Sequence, residues 1–395
     1  MSNESLDKFA KLKLDRLMTS GLHRSLIATQ RTDSVRLRRG GRDLISFCCN
    51  DYLGLSHHPK VKDAAAAAIA GYGAGAGASR LITGNHPLYA VLEHKLAALK
   101  GTEAACVFGS GYMANAGILP ALAGVGDLIL ADELGHASIN MGARAARAKF
   151  LTFRHNDVHD LADVLTRERA SAGTCLVVTE GVFSMDGDRA PLDILAGVCA
   201  DHDAWLMMDD AHGFGVLGGG RGSAFEFDPI PEIPLQMGTL SKAVGVYGAF
   251  LCASSPVIEL MKNRARSLIY TTGLPPPVIA AAIEAVDIIE TDPCRVARPL
   301  SLAREFCNGV GLEAPESPVV PIIFGTDSAA LEASLALEME GFLVAPIRPP
   351  TVPAGTSRLR FTFTAEHSEA QVTALAAAVN SLKLDYGNPF PMADG

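Results

Sequence analysis

Charge-free stretches long enough to cross a bilayer are missing from this chain, so the sequence holds no candidate transmembrane helix. An apolar leader core is missing as well. Met1 to Arg16 mixes Glu, Asp, Lys and Arg, which does not read as a secretory signal. There is no basic block. Lys and Arg total 34 against 43 Asp and Glu, a net charge of -9, and that balance argues against nucleic acid as the main partner. A phosphorylated small substrate stays open, because a local arginine cluster can serve it. None of the eight cysteines falls in a Cys-x-x-Cys pair. Cys48, Cys49, Cys106, Cys175, Cys199, Cys252, Cys294 and Cys307 sit mostly in apolar runs, where a reduced thiol packs as a small hydrophobe. A reducing cytoplasm is therefore expected. No internal repeat is present.

The 395 residues, 48% of them apolar and 6% aromatic, are enough for a large core with a smaller second domain. Residues 6–28 carry apolar side chains at helical spacing (Phe9, Leu12, Leu17, Leu22) and read as an amphipathic arm, interrupted near Gly21. Two short strands around 35–37 and 44–48 flank the Gly40-Gly41 turn. Helices are expected over 59–70 and 87–100. The small-sided run 73–80 between them reads as a loop that lets backbone approach a ligand. Strands then alternate with helices. Strands are expected over 104–108, 127–131, 149–153, 175–179, 205–208, 233–238 and 248–253, and helices over 112–123, 137–148, 157–169 and 191–201. That alternation means βαβ units and a mostly parallel sheet with helices on both faces. Beyond about residue 274 the pattern becomes α+β. Helices are expected over 276–291, 295–308 and 328–340, strands over 319–324, 342–344 and 358–363, and a last helix behind the capping box Ser368-x-x-Gln371. Three parts follow: an arm with short strands (1–50), a large α/β domain (51–274) and a C-terminal α+β domain (275–395). Residues 386–395 read as a loose tail.

The chemistry gathers at predicted strand ends. Trp205-Leu206-Met207-Met208 runs into Asp209-Asp210-Ala211-His212, which is how a buried parallel strand delivers polar groups to the carboxyl edge of a sheet. Downstream, Lys242 follows Thr239-Leu240-Ser241 in a nearly uncharged segment. Desolvation there lowers an amine's pKa and makes it a nucleophile toward carbonyls. An acid for a pyridinium nitrogen and a lysine for a Schiff base point to pyridoxal 5'-phosphate (PLP). Gly109-Ser110-Gly111-Tyr112 joins a strand to a helix whose free N–H groups attract an anion. The same letters fit Gly-x-Gly-x-x-Ala, with Asp132 near the distance of a ribose-binding acid, so an NAD site competes. His136 and the run Thr179-Glu180 to Asp188 end two further strands. A metal reading would recruit His136, Glu180, Asp209 and His212, without the spacing of a short zinc motif; no metal is expected. Arg358 and Arg360 share one strand face and would bind a carboxylate if that face were buried against the site. Without such burial they are solvated arginines on an edge strand.

Together these pieces resemble the α-oxoamine synthase family of fold-type I PLP enzymes. The resemblance runs from Gly21-Leu22-His23-Arg24 to His367. Its most specific pieces are residues 50–55, 179–187, 209–213 and 239–242. The run Ile347-Arg348-Pro349-Pro350-Thr351 is most similar to the branch that condenses L-alanine with a pimeloyl thioester, rather than to those using glycine or serine. The resemblance implies a fold-type I transferase fold, with a mostly parallel central sheet, a smaller C-terminal α+β domain and an N-terminal helical arm. It implies that Lys242 holds PLP and moves the substrate's α-proton. Asp209 would pair with the pyridinium nitrogen, His136 would stack on the ring, and His212 would meet its phenolic oxygen. Gly111 and Tyr112 would bind the phosphate end, Ser184 and Thr239 would touch the cofactor, and Thr271 or Thr272 would reach it from a partner subunit. Arg360 would hold the amino acid's carboxylate, while Arg24, Asn50 and Thr351 would line the acyl side. Pimeloyl-CoA or a pimeloyl carrier protein is the implied acyl donor, and a cytoplasmic homodimer in biotin biosynthesis the implied setting. Cys48-Cys49 and Leu240-Ser241 depart from the family's usual residues without removing a group that has a role. A catalytically silent partner subunit of the same fold would have no need for Lys242.

Overall fold

The computed structural model describes residues 3–386, and the tail from 387 onward lies outside them. Helix α1 (Asn3–Thr19) precedes three short strands, β1 (Thr29–Arg31), β2 (Arg36–Arg39) and β3 (Arg42–Ser46). Helices α2 (Pro59–Tyr72) and α3 (Leu88–Lys100) lead to the alternating part. This comprises β4 (Ala104–Phe108), α4 (Gly111–Leu122), β5 (Leu128–Asp132), α5 (Ala137–Ala146), β6 (Lys149–Phe153), α6 (Val158–Glu168), β7 (Cys175–Glu180), α7 (Leu192–Asp201), β8 (Trp205–Asp209), β9 (Leu235–Thr239) and β10 (Ala249–Ala253). Helices α8 (Ser255–Arg264), α9 (Arg266–Ile269), α10 (Pro276–Thr291) and α11 (Pro293–Val310) follow. The chain closes with β11 (Val319–Gly325), α12 (Asp327–Met339), β12 (Phe342–Leu343), β13 (Ala345–Ile347), β14 (Ser357–Thr362) and α13 (Glu369–Tyr386).

The central sheet has seven strands in the order β4-β10-β9-β8-β7-β5-β6. Only β10 runs against its neighbours; β5 through β9 are parallel where they pair. Strands β5, β7, β9 and β10 are buried at every residue, as expected when helices cover both faces of a sheet. Local chemistry sets the helix starts. Ser110 Oγ accepts from Met113 N at the start of α4, and Asp157 accepts from the N–H groups of His159 and Asp160 at the start of α6. The capping box forms reciprocally: Ser368 Oγ accepts from Gln371 N, and Gln371 Oε1 accepts from Ser368 N.

Two smaller sheets complete the fold. The order β11-β14-β13 is antiparallel, with β14 in the centre, so Arg358 and Arg360 are not on an edge strand and both are buried. The other sheet, β1-β2-β3-β12, joins the first fifty residues to the C-terminal portion through a parallel β3–β12 pair. A separate apolar cluster lies under these strands, built on Phe306, Phe361, Phe363, Val372 and Leu375.

The arm helix is shorter than its apolar spacing predicts. It stops at Thr19 because Gly21 takes a left-handed φ of 68° and Leu22 N and His23 N turn back to Leu17 O. Leu6, Phe9, Leu12 and Leu17 are exposed on the single chain. The sequence pattern does not predict helices α8 and α9; Ala265, extended at φ −71° and ψ 100°, separates them, and α9, with four residues, is too short to show a period.

His367 is a core histidine that makes the fold sensitive to acid. Its ring is fully buried and stacks on Phe47 with centroids 4.1 Å apart. Nε2 donates to Ser46 O at 2.9 Å, while Nδ1 accepts from Thr364 N at 3.1 Å. Burial pushes the imidazole down to about 4, against the pull of the Ser46 carbonyl. Below the unfolded value near 6.5 the unfolded chain takes a proton that the folded one refuses, so stability falls between there and about pH 4. Urea unfolding at pH 7 and pH 5 is expected to show the wild type losing about 2 kcal/mol more than His367→Asn over that interval. Equal losses would show that His367 does not carry this dependence.

Candidate active site

Because β5, β7, β8 and β9 run in one direction, their carboxyl ends meet along one edge. From β8 comes Asp209, from β9 Thr239 and the turn carrying Lys242, from β7 Glu180, and from the loop after β5 His136. They enclose a cavity of about 190 Å³, also lined by Ser110, Gly111, Tyr112, Ser138 and His212. His136 separates it from a second cavity of about 660 Å³, lined by Ser184, Met185, Asp186 and residues 350–353.

Asp209 is buried and held from two sides. Asn115 Nδ2 donates to its Oδ2 at 2.8 Å, and Ala211 N donates to its Oδ1 at 3.1 Å. Burial pushes Lys242 below its ordinary value; Asp209 and Glu180 pull it back, and Arg360 adds to the depression. Glu180 is held well above the usual carboxyl range, by burial first and by the charge of Asp209 second. Its Oε1 accepts the backbone N–H of His136 at 2.7 Å, which anchors the start of α5. His136 is lowered by burial and by Lys242, with Asp209 opposing. His212 lies well below its ordinary value through burial, with Lys242, Arg360 and His136 adding to the shift. It is neutral, and its Nδ1 is paired with Tyr52 OH at 2.6 Å.

Arg360 reaches the same region from β14. Its Nε donates to Ser184 O at 2.5 Å and its Nη1 to Asn50 Oδ1 at 3.2 Å, and Tyr52 OH lies 3.5 Å from Nη2. The structure therefore brings Gly111, Tyr112, His136, Asp209, His212, Thr239 and Lys242 to one cavity, puts Ser184 and Thr351 on the next, and ties Asn50 to Arg360. It does not bring Arg24, Thr271 or Thr272 to either cavity within one chain. Arg24 is exposed, and Thr272 pairs with Ser79 in an isolated bridge. The glycine-rich run before Arg80 also lines neither cavity. Arg80 turns inward to Glu93 at 2.7 Å and stacks on Tyr89, which is a packing role.

Two competing readings lose their geometry. Strand β4, which precedes Gly109-Ser110-Gly111, is an edge strand paired only to antiparallel β10, and β5 lies four strands beyond β10. The proposed ribose acid, Asp132, already accepts from Leu134 N, Asn156 N and His155 Nδ1. For a metal, no three His, Cys, Asp or Glu converge suitably among the described residues.

Sequence reasoning missed Asn115, Ser138 and Tyr52. Asn115 was the findable one: a lone amide one turn beyond Gly111 in an otherwise apolar helix, fully buried and aimed at Asp209. The site suits PLP. A carboxylate that only accepts stands at one end, and the helix start with Gly111 at the other. Gly111 leaves room that a side chain would fill, since a Cβ there would stand 3.3 Å from Met237 Cε.

Fold and site together define a fold-type I PLP-dependent transferase, and residues 42–379 match the family Aminotransferase class I and II. A serine palmitoyltransferase of S. paucimobilis with bound PLP-myriocin aldimine superposes with a TM-score of 0.91 at 33% identity, over 97% of this chain and 99% of that one. An 8-amino-7-oxononanoate synthase of Beijerinckia indica is 56% identical over 96% of this chain and 98% of its own length. That of Methylocella silvestris is 59% identical over 88% and 99%. The chain belongs to the 8-amino-7-oxononanoate synthase family.

Asn115→Leu tests how the carboxylate is aimed. Titration with PLP, followed by visible absorbance, is expected to show about tenfold weaker binding, or about 1.4 kcal/mol, with the fold retained. Unchanged affinity would remove the amide from the site's design.

Proposed function

We infer that the enzyme condenses L-alanine with a pimeloyl thioester, releasing CO2 and the free thiol, to form 8-amino-7-oxononanoate for biotin synthesis. The observation that carries this reading is the meeting of Lys242, Asn115-held Asp209 and the start of α4 around one small cavity that adjoins a larger one across His136. When bound, PLP supplies a protonated ring that takes up the electrons left as bonds to the amino acid's α-carbon break.

The chain's own groups do the rest. Lys242 Nζ, held below its ordinary value by burial, would tether the cofactor and, when freed from it, would take the alanine α-proton. The carboxylate of Asp209 holds the proton on the ring nitrogen. Neutral His212, whose Nδ1 is occupied by Tyr52, presents Nε2 to the phenolic oxygen. His136 covers the ring face at the boundary of the two cavities. The N–H groups of Gly111 and Tyr112 would receive the phosphate end, and the hydroxyls of Thr239 and Ser184 would touch the cofactor, one from each cavity. Arg360, already fixed by Ser184 and Asn50, holds the alanine carboxylate until it leaves as CO2. Thr351 lines the larger cavity and Asn50 is tied to Arg360 beside it, and this acyl side would accept either pimeloyl-CoA or a pimeloyl carrier protein; Arg24, assigned to the same side by resemblance, lies away from it within one chain.

A homodimer fits this reading. Leu26, Leu81, Ile82, Tyr112 and Tyr270 are exposed on one chain, and a second copy would both cover them and deliver Thr271 or Thr272 to the phosphate. Eight free cysteines, and no described helix long and apolar enough to cross a membrane, agree with a cytoplasmic enzyme.

Mixing purified protein, PLP, L-alanine and pimeloyl-CoA is expected to release thiol and yield 8-amino-7-oxononanoate by mass; thiol release with glycine or serine instead would replace the assignment. Lys242→Ala is expected to lose the borohydride-bleachable visible band. Asp209→Asn is expected to bind PLP but turn over roughly a hundredfold or more slowly, the scale of losing an electrostatic stabiliser. Wild-type turnover in that variant would refute the role of the carboxylate.

A further inference from the structure

His155 belongs to no part of the site as assigned above, yet it stands between two loops that build it. One loop follows β5 and runs from Asp132 to His136. The other follows β7 and carries Ser184 and Asp188. The imidazole bridges them: Nδ1 lies 3.0 Å from Asp132 Oδ1 and Nε2 lies 2.7 Å from Asp188 Oδ2. Asn156 doubles the bridge. Its backbone N–H donates to Asp132 Oδ2 at 2.8 Å, and its Nδ2 donates to Asp188 Oδ2 at 2.9 Å and to Arg189 O at 3.2 Å. The ring's plane meets Phe183 edge-on at 4.4 Å, so it packs against the same loop that it binds. Asn156 takes a left-handed φ of 53°, unusual for a residue with a side chain, and this conformation lets ring and amide face the same two carboxylates.

We propose that His155 is a positioning residue, a two-sided link from Asp132 to Asp188 that sets the spacing between the His136 loop and the Ser184 loop. Both ring nitrogens face carboxylates, so both must donate for the link to hold, and that requires the protonated ring. Burial opposes the charge, but the hydrogen bonds to Asp132 and Asp188 outweigh it and raise the imidazole to about 10. The titratable groups facing the ring are Asp132 and Asp188. Glu133 accepts His155's backbone N–H, Arg154 is turned to Asp157 and Asp160, and Arg189 is turned to Glu226 and Glu316. With the folded value raised, the link is complete through neutral pH and is lost as pH rises through about 10. The consequence reaches substrate through Ser184, whose carbonyl holds Arg360, and through His136 at the boundary of the cavities.

The inference rests on reading the cavity as the PLP site, and the test separates the two. His155→Gln, a neutral amide whose donors sit on a single nitrogen and so cannot bridge both carboxylates, is compared with wild type. In the cofactor-free proteins, amide hydrogen exchange over 132–140 and 181–190 is expected to quicken severalfold in the variant and to stay unchanged elsewhere. In the PLP-loaded proteins, cofactor content is expected to be retained while kcat/KM for L-alanine falls about tenfold. Exchange and kcat/KM both within twofold of wild type would overturn the proposal. A wild type that takes up no PLP would instead overturn the site reading, leaving the exchange result to judge the link. Should His155→Gln fail to fold, Asp188→Asn decides. It leaves one carboxylate on the ring, so the alkaline fall of kcat/KM is expected to move down by about one pH unit or more. An alkaline limb identical to wild type would overturn the proposal.

Discussion

A carboxylate kept out of water at the end of a parallel strand is the constraint on which the rest of this structure depends. Asp209 cannot sit in that place alone, because a buried anion without partners is costly. Its compensation comes from three directions: an amide on α4, a backbone N–H two residues on, and the electrostatic pull of Lys242. The neighbouring acid shows how strictly the strand divides these duties. Asp210 points to the opposite face, as successive strand residues do. There it meets buried Lys100 at 3.3 Å and Ser223, in a pair that holds α3 and the loop after β8 to the back of the sheet. One acid faces chemistry and the other faces structure, with nothing but the strand's alternation to distinguish them.

The loop after β7 is where the two halves of the molecule are joined. On one side Asp188 takes His155 and Asn156. On the other, Asp186 pairs with Arg358 and the carbonyl of Ser184 takes Arg360, both from the central strand of the C-terminal sheet. Ser317 Oγ donates to the carbonyl of Gly187 at 2.7 Å, and Gly187 holds a φ of 76° where a side chain would run into the backbone of Val319. Arg360 is therefore not a free arm but part of a clamped layer. This explains how an arginine from the last third of the chain keeps its place beside groups from the middle third.

Protonation follows burial rather than residue type. Glu180 is pushed up and His212 pushed down by the same desolvation, so burial favours the neutral form of both, an acid and a base alike. His155, just outside, goes the other way because two carboxylates outweigh its burial.

The local order of residues determined the alternation of strands and helices, the strand ends carrying Asp209, Glu180 and Lys242, and the capping box at Ser368. These depend on apolar period and on capping chemistry within a few residues. What the chain's own order could not decide was which distant groups meet. Local sequence marks Asn115 as the lone amide of an apolar helix but not that Asp209 is its partner, and it cannot tell Arg360 in a central strand from an arginine at a sheet's edge. Strand order in the sheets settles both, because pairing across long separations in sequence selects neighbours that no short window contains. Arg24, Thr271 and Thr272 mark the same boundary from the other side, for one folded chain leaves all three away from both cavities, and no short window of sequence shows that.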